Sequence, residues 1–192
     1  MADETARIFP DGKTRCAWVP EGDPTYIAYH DQEWGAPVHE DAKLYEMFVL
    51  ELFQAGLSWS LLLHKRENFR QAFADFDIDA VCAMTDDNVE RLMQDAGIVR
   101  NRKKIEATVS NSRIFRTIQR EFGSFDAYIW GFTDGETIRE NPGTTKSILS
   151  DTVSRDLKRR GVKFAGSVTI FSYLQAVGII NSHAEECFCN KQ

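Results

Sequence analysis

The chain has 192 residues, 43% of them hydrophobic and 27% charged, with a formal net charge of −6. That length suits one sizeable core or two closely packed lobes, and the balance is ordinary for a soluble globular protein. No apolar run approaches the roughly 18–20 residues that a helix needs to cross a bilayer. The start, MADETARIFPDGKTRC, lacks the apolar stretch of a secretory signal, so the expected location is cytoplasmic, with thiols reduced. Residues 1–12 read as a flexible arm.

Residues 13–40 read as short or irregular structure, with Pro20, Pro24, Gly35 and Pro37 as breakers. Asp41 can cap a helix that starts at Ala42 and ends at Gly56. Leu44, Met47, Phe48, Leu52 and Ala55 recur at three- and four-residue steps and form an apolar stripe. Glu51 falls inside that stripe. Either it sits at the edge and reaches water, or it serves a pocket; a carboxylate aimed at a core costs several kcal/mol unless something pairs with it. Past Gly56 comes Trp59, a large flat π surface suited to a flat, hydrogen-bonding ligand.

Ser58 can cap the next helix, through Leu61–Phe73, and Asp77 and Thr85 each look like an N-cap. The segment Asp86–Asp95 predicts a short helix stopped at Gly97. A further helix begins near Asn101 and carries Ile105, Val109 and Ile114–Phe115 inward. Residues 131–146 predict a loop crossing between lobes. Ser150 can cap a helix ending at Gly161, and an apolar helix runs from about Ser167 to Val177. Helical periodicity dominates and no strand alternates clearly, so the fold reads as all-α.

The net charge hides an asymmetry. From Arg91 to Arg120 there are eight basic and two acidic residues, a local +6. Local charge decides where a polyanion binds. The turn at Ala96–Arg100 feeds a helix N-terminus, where backbone N–H groups and the positive dipole end suit a phosphate. Arg100, Arg102, Lys103 and Lys104 would add neutralising charge. A plain helical hairpin with a solvated basic surface accounts for the same pattern.

Of the four cysteines, Cys16, Cys82, Cys187 and Cys189, three lie near the chain ends, which in a reducing compartment favours metal binding over disulfides. His183 and Cys187 are four apart and would share a helical face; Cys16 and His30 lie in the irregular segment. Together they make Cys2His2, a set typical of tetrahedral structural zinc. Cys189 and His39 are spare candidates, and Cys82 reads as core.

Several long motifs then occur in order: RCAWV (Arg15–Val19), DPTYIAYHDQEWG (Asp23–Gly35), QAGLSW (Gln54–Trp59), KRENFR (Lys65–Arg70), QDAGIVRNRKKI (Gln94–Ile105), RRGVKFAG (Arg159–Gly166) and NSHAEEC (Asn181–Cys187). In these the chain resembles the bacterial 3-methyladenine DNA glycosylase I family of helix–hairpin–helix glycosylases, over nearly its whole length. The resemblance implies an all-α helix–hairpin–helix fold with one catalytic unit over 13–192. Within it, 41–164 would form the helix–hairpin–helix lobe, and 13–40 plus 165–192 a lobe stapled by one structural Zn2+. It implies Cys16, His30, His183 and Cys187 as metal ligands, and Glu51 as the carboxylate that recognises the methylated adenine and is the catalytic candidate. It implies Trp59 as the stacking ring, Tyr29 and Tyr26 as pocket aromatics, and the turn at Gly97, with Arg100, Arg102 and Lys103, as the DNA contact. Leu52 and Phe53 depart from the Gly and Gln of that pattern.

The implied activity is monofunctional excision of N3-methyladenine from alkylated double-stranded DNA, releasing the free base, by a monomer. Two other classes contend. A zinc-stapled binding protein without catalysis would bind duplex and release nothing. A zinc hydrolase would need an open metal position.

Overall fold

The computed structural model describes residues 5–191. Its centre is helix α2, Asp41–Gln54, in which every residue from Leu44 to Phe53 is buried. The apolar residues do not form a stripe with a wet back; they ring the helix, and a helix apolar on all sides belongs in the middle of a core. Around it pack α3 (Trp59–Ala72), α6 (Arg102–Phe122), α7 (Phe125–Trp130) and α9 (Ser167–Ala176). Leu52 and Phe53 are both in this core, Phe53 with its ring 4.8 Å from that of Phe69. They fill the interior and leave the aim of Glu51 to the backbone.

Asp41 does not cap α2. Glu40 holds the N-cap position without a side-chain hydrogen bond. The Asp41 carboxylate instead accepts from the backbone N–H groups of Phe125 (2.9 Å) and Asp126 (2.8 Å), the orphan donors that open α7. It caps a helix more than 80 residues away in sequence, so its capping chemistry was legible and its target was not.

The expected helices over the middle of the chain are present: α3 capped by Ser58, α4 (Ile78–Cys82) by Asp77, α5 (Asp86–Gln94) with a Thr85 capping box, and α6 capped by Asn101. Helix α8 (Ile148–Arg159) is capped by Ser147, not Ser150, which is its reciprocal N3 partner. Residues 24–32 form a regular helix, α1 (Pro24–Gln32), where short or irregular structure was expected. Pro24 opens that helix at N1, where its missing N–H costs nothing, and Asp23 caps it.

Four short strands complete the chain. Strand β1 (Ala6–Ile8) pairs antiparallel with β2 (Thr14–Cys16), so this part of the expected arm is structured; residues 1–4 lie outside the described residues. Strand β3 (Ile138–Arg139) pairs parallel with β4 (Ile180–Asn181), which ties the loop over 131–146 to the segment that follows α9. No helix among the described residues is long and apolar enough to cross a membrane.

One charged cluster locks three helices together. Buried Glu46 on α2 accepts from Arg66 (2.8 Å) and Arg70 (2.8 Å) of α3 and meets Lys43 at 3.1 Å. Arg66 also holds Glu33, just past α1, through two parallel bonds of 2.9 Å. Burial by itself, the largest single influence, would raise the Glu46 carboxyl; the hydrogen bonds and charges of Arg66, Arg70 and Lys43 together outweigh it and hold the pKa at about 2.

Candidate active site

Glu51 lies on the same helix as Glu46 and in the opposite situation. It is 5% exposed, and its Oε2 has no hydrogen-bond partner among the described residues. Burial alone pushes its pKa up to about 8. The edge-of-stripe alternative is therefore wrong: the carboxylate is enclosed and unpaired. It faces a cavity of ≈260 Å³ that Tyr26, Tyr29, Gln54 and Trp59 also line. Pockets of about 300–1,000 Å³ take drug-sized ligands, so this one suits a single small ring system.

The corner between Glu51 and Trp59 is built by the end of α2 and the start of α3. Gly56, at φ +84°, makes the turn, and Ser58 starts the next helix so that Trp59 is its first residue. The Trp59 ring is 5.4 Å from Tyr29, and Tyr29 is 6.4 Å from Tyr26. Trp59 Nε1 is buried without a partner, like Glu51 Oε2. A donor and an acceptor, both unsatisfied, thus belong to two side chains that line one aromatic-walled space; each costs about 1–3 kcal/mol unless a ligand or water completes it.

The far wall comes from segments that the sequence did not bring forward. Trp18 and Trp34 line the cavity, with rings 4.8 Å apart, as do Thr144 and Thr145 of the β3–α8 loop. Ser172 and Gln175 on α9, with Cys16 and Ser182, complete it. Both tryptophans lie inside quoted motifs, but nothing in their spacing showed that they face Glu51.

Behind that wall the two terminal segments meet. His30, His183, Cys187 and Cys189 bring one ligand atom each within 4.8 Å of one another, all buried. Cys189, a spare in the sequence, is in this tightest set, and Cys16 touches it: Ala184 N–H donates to Cys16 Sγ at 3.4 Å, and a hydrogen bond from Cys16 is the largest influence lowering the Cys187 thiol. His183 and Cys187 come together through a turn and not on a helix.

The donor chemistry fits a metal. His30 Nδ1 is engaged by Asp31 at 2.9 Å and His183 Nδ1 by Asn181 at 3.0 Å, which leaves both Nε2 atoms directed elsewhere. His183 Nε2 is buried with no partner, and burial holds this imidazole neutral with a pKa of about 4, the ligand form. His39 lies apart, 2.8 Å from Asp126. Trp34 packs on both imidazoles, 4.5 Å from His183 and 6.1 Å from His30, so one indole belongs to the cluster and to the cavity wall.

The basic turn lies between α5 and α6. Lys65 donates to the carbonyls of Ala96 (3.0 Å) and Gly97 (2.9 Å), and Asp95 accepts from Gly97 N–H at 2.7 Å. A Cβ at Gly97 would sit 2.9 Å from Asp95 Oδ1 and 3.1 Å from Asn68, so a side chain there would have to displace both. Arg100 and Lys103 are exposed; Arg102 is exposed but paired with Glu90 at 2.7 Å. Lys104 is not part of this surface. It is buried, and its ammonium donates to the carbonyls of Phe53 (2.9 Å) and Ala55 (2.7 Å).

A helical core that sets an unpaired carboxylate and several aromatic rings around one cavity, with a basic turn outside, has the chemistry of a site for a flat polar ring. The chain belongs to the methyladenine glycosylase family, whose sequence pattern matches residues 18–190. It is 45% identical over 182 residues to DNA-3-methyladenine glycosylase 1 of Escherichia coli (strain K12), covering 91% of this chain and 96% of that one. Among solved structures, it matches a 3-methyladenine DNA glycosylase I crystal structure at 44% identity with a TM-score of 0.87, covering 91% of this chain and 98% of the other. A second match is the Staphylococcus aureus enzyme, solved for its recognition of 3-methyladenine, at 35% identity and a TM-score of 0.85, over 88% and 93% of the two chains.

Proposed function

We propose that this protein is a monofunctional DNA-3-methyladenine glycosylase, which extrudes N3-methyladenine from alkylated duplex DNA and hydrolyses its N-glycosidic bond. The observation that carries this reading is the enclosed, unpaired Glu51 in an aromatic cavity the size of one base. Methylation at N3 leaves the adenine cationic, so its bond to C1′ is already weak. The base departs with the electron pair of that bond and becomes neutral; water adds its oxygen to C1′ and releases one proton.

Glu51 binds the cation. A positive ring beside it favours the ionised carboxylate, which then accepts hydrogen bonds from the adenine edge. Trp59 supplies a stacking face worth about 1–3 kcal/mol, and Tyr29 and Tyr26 close the wall. Flipping costs a few kcal/mol and least for a damaged base. Among the described residues no lysine lines the cavity, which supports hydrolysis without an attacking amine. Leu57, 38% exposed on the turn between Gln54 and Trp59, would fill the gap in the stack.

The α5–α6 turn is read as the helix–hairpin–helix DNA contact, with Gly97 N-terminal to the phosphate site and Arg100, Arg102 and Lys103 around it. The protein works as one unit over 13–192 and as a monomer in the cytoplasm. Its lobes are 41–164 and, from both ends, 13–40 plus 165–192.

A single Zn2+ would be held by Cys16, His30, His183 and Cys187. Cys16 is preferred to Cys189 because of its hydrogen bonds. Cys16 sulfur accepts the Ala184 N–H and hydrogen-bonds to Cys187, inside the cluster, whereas Cys189 donates towards the carbonyls of His30 and Asp31. With four protein ligands the ion supplies cross-linking only. The deciding experiment is incubation with methylated duplex followed by analysis for free 3-methyladenine. Release by the wild type and loss in Glu51→Gln supports the reading; duplex binding with no released base would make this a non-catalytic binding protein.

A further inference from the structure

Three buried polar atoms on residues that line the cavity have no protein partner: Glu51 Oε2, Trp59 Nε1 and Ser182 Oγ. The first two are used above. Ser182 is 3% exposed and follows directly on β4, between Asn181 and His183.

Its backbone is fixed on both sides. Glu140 N–H donates to Asn181 O at 3.0 Å, and Asn181 Oδ1 accepts from His183 N–H at 3.1 Å. The hydroxyl can therefore rotate but not travel. Other buried serines of this chain satisfy themselves: Ser112 donates to Val109 O at 2.8 Å and Ser154 to Ala165 O at 2.6 Å. Ser182 does neither, and it lines the cavity, so its hydroxyl is left for a partner from outside the protein.

We propose that Ser182 is a specificity-determining residue that hydrogen-bonds the flipped purine from the β4 side of the cavity, as Glu51 does from α2. A hydroxyl suits this place because it can accept from an exocyclic amine or donate to a ring nitrogen, and adenine offers both. The inference rests on the reading of the cavity as a base pocket.

The test is binding of free 3-methyladenine and of an abasic-site duplex to wild type and Ser182→Ala, with bound metal and melting temperature measured on both. Ser182→Ala should bind free 3-methyladenine about 5–10-fold more weakly, at the scale of one neutral hydrogen bond. Its affinity for the abasic duplex, metal content and melting temperature should not change. Unchanged affinity for the base overturns the role of Ser182. So does a loss that falls equally on the abasic duplex and on metal content, since that marks a structural residue supporting His183. Failure of the wild type itself to bind 3-methyladenine overturns the base-pocket reading.

Discussion

The Lys104 ammonium donates to the carbonyl oxygen of Ala55 at 2.7 Å, so the first turn of α6 closes the exposed end of α2. Two segments with separate tasks are tied at one nitrogen: the basic hairpin, and the turn between Glu51 and Trp59. Lys104→Met keeps the stem and removes the donor. It leaves the Phe53 and Ala55 carbonyls short of a partner, with an expected loss of about 1–3 kcal/mol in urea unfolding. Excision should fall while affinity for undamaged duplex holds, because Lys104 is buried and does not reach DNA.

Arg100→Ala and Lys103→Ala should behave in the opposite way. Both side chains are exposed. Each substitution should weaken duplex binding whatever the sequence and reduce the slope of log affinity against log salt by about 1. Unfolding should be within about 0.5 kcal/mol of wild type. An unchanged salt slope in both would remove the hairpin from the DNA contact.

Glu51 makes a pH-dependent contribution with a definite sign. Burial raises its folded pKa to about 8 from the ordinary 4.5, so the folded state keeps a proton that the unfolded state gives up. Stability from this group is complete below about pH 4.5 and falls as pH rises towards 8. Glu51→Gln has no proton to lose. Urea midpoints measured from pH 5 to pH 8 should show the variant gaining on wild type as pH rises, while 3-methyladenine affinity drops about 10–100-fold through loss of a charge-assisted bond. A pH-independent difference in stability would mean that Glu51 is ionised in the empty pocket.

Glu46→Gln tests the other buried carboxylate of α2. Arg66 and Arg70 would keep their charges beside a neutral amide, and breaking a buried pair from one side costs about 3–5 kcal/mol. The expected variant is strongly destabilised in denaturant melts, yet its remaining folded fraction binds 3-methyladenine normally. A Glu46→Gln protein as stable as wild type would show the cluster to be energetically idle.

Metal analysis of single variants separates the two thiols beside the cluster. Cys16→Ser should lose most bound zinc, and Cys189→Ser should keep it. The reverse result would give Cys189 the fourth position, as the tightest grouping of side chains suggests.

Much of this was legible in the sequence where the controlling contacts are local. The Ser58, Asp77, Thr85 and Asn101 caps act within three residues of themselves, and all four start the helices expected of them. Glu51 and Trp59 were visible because a charge among apolar residues and a Trp past a glycine are anomalies of one short stretch. What failed was long-range. Asp41 looked like a local cap and serves α7; Lys104 looked like surface charge and serves α2. Trp34, Ser172 and Ser182 reach the cavity from three separate segments, and no periodicity records that convergence.

His30 and Cys187 touch at 3.6 Å although 157 residues separate them. Such a closure is among the last events open to a folding chain, since the entropy of a large loop must be met before its contacts reward it. The α2–α3 corner can form early from neighbouring sequence and would stand as half a receptor, with Glu51 and Trp59 in place and no opposite wall. Trp34 and Ser182 arrive only when the ends meet. Competence to hold a base should therefore appear later in refolding than helical structure does, and all at once.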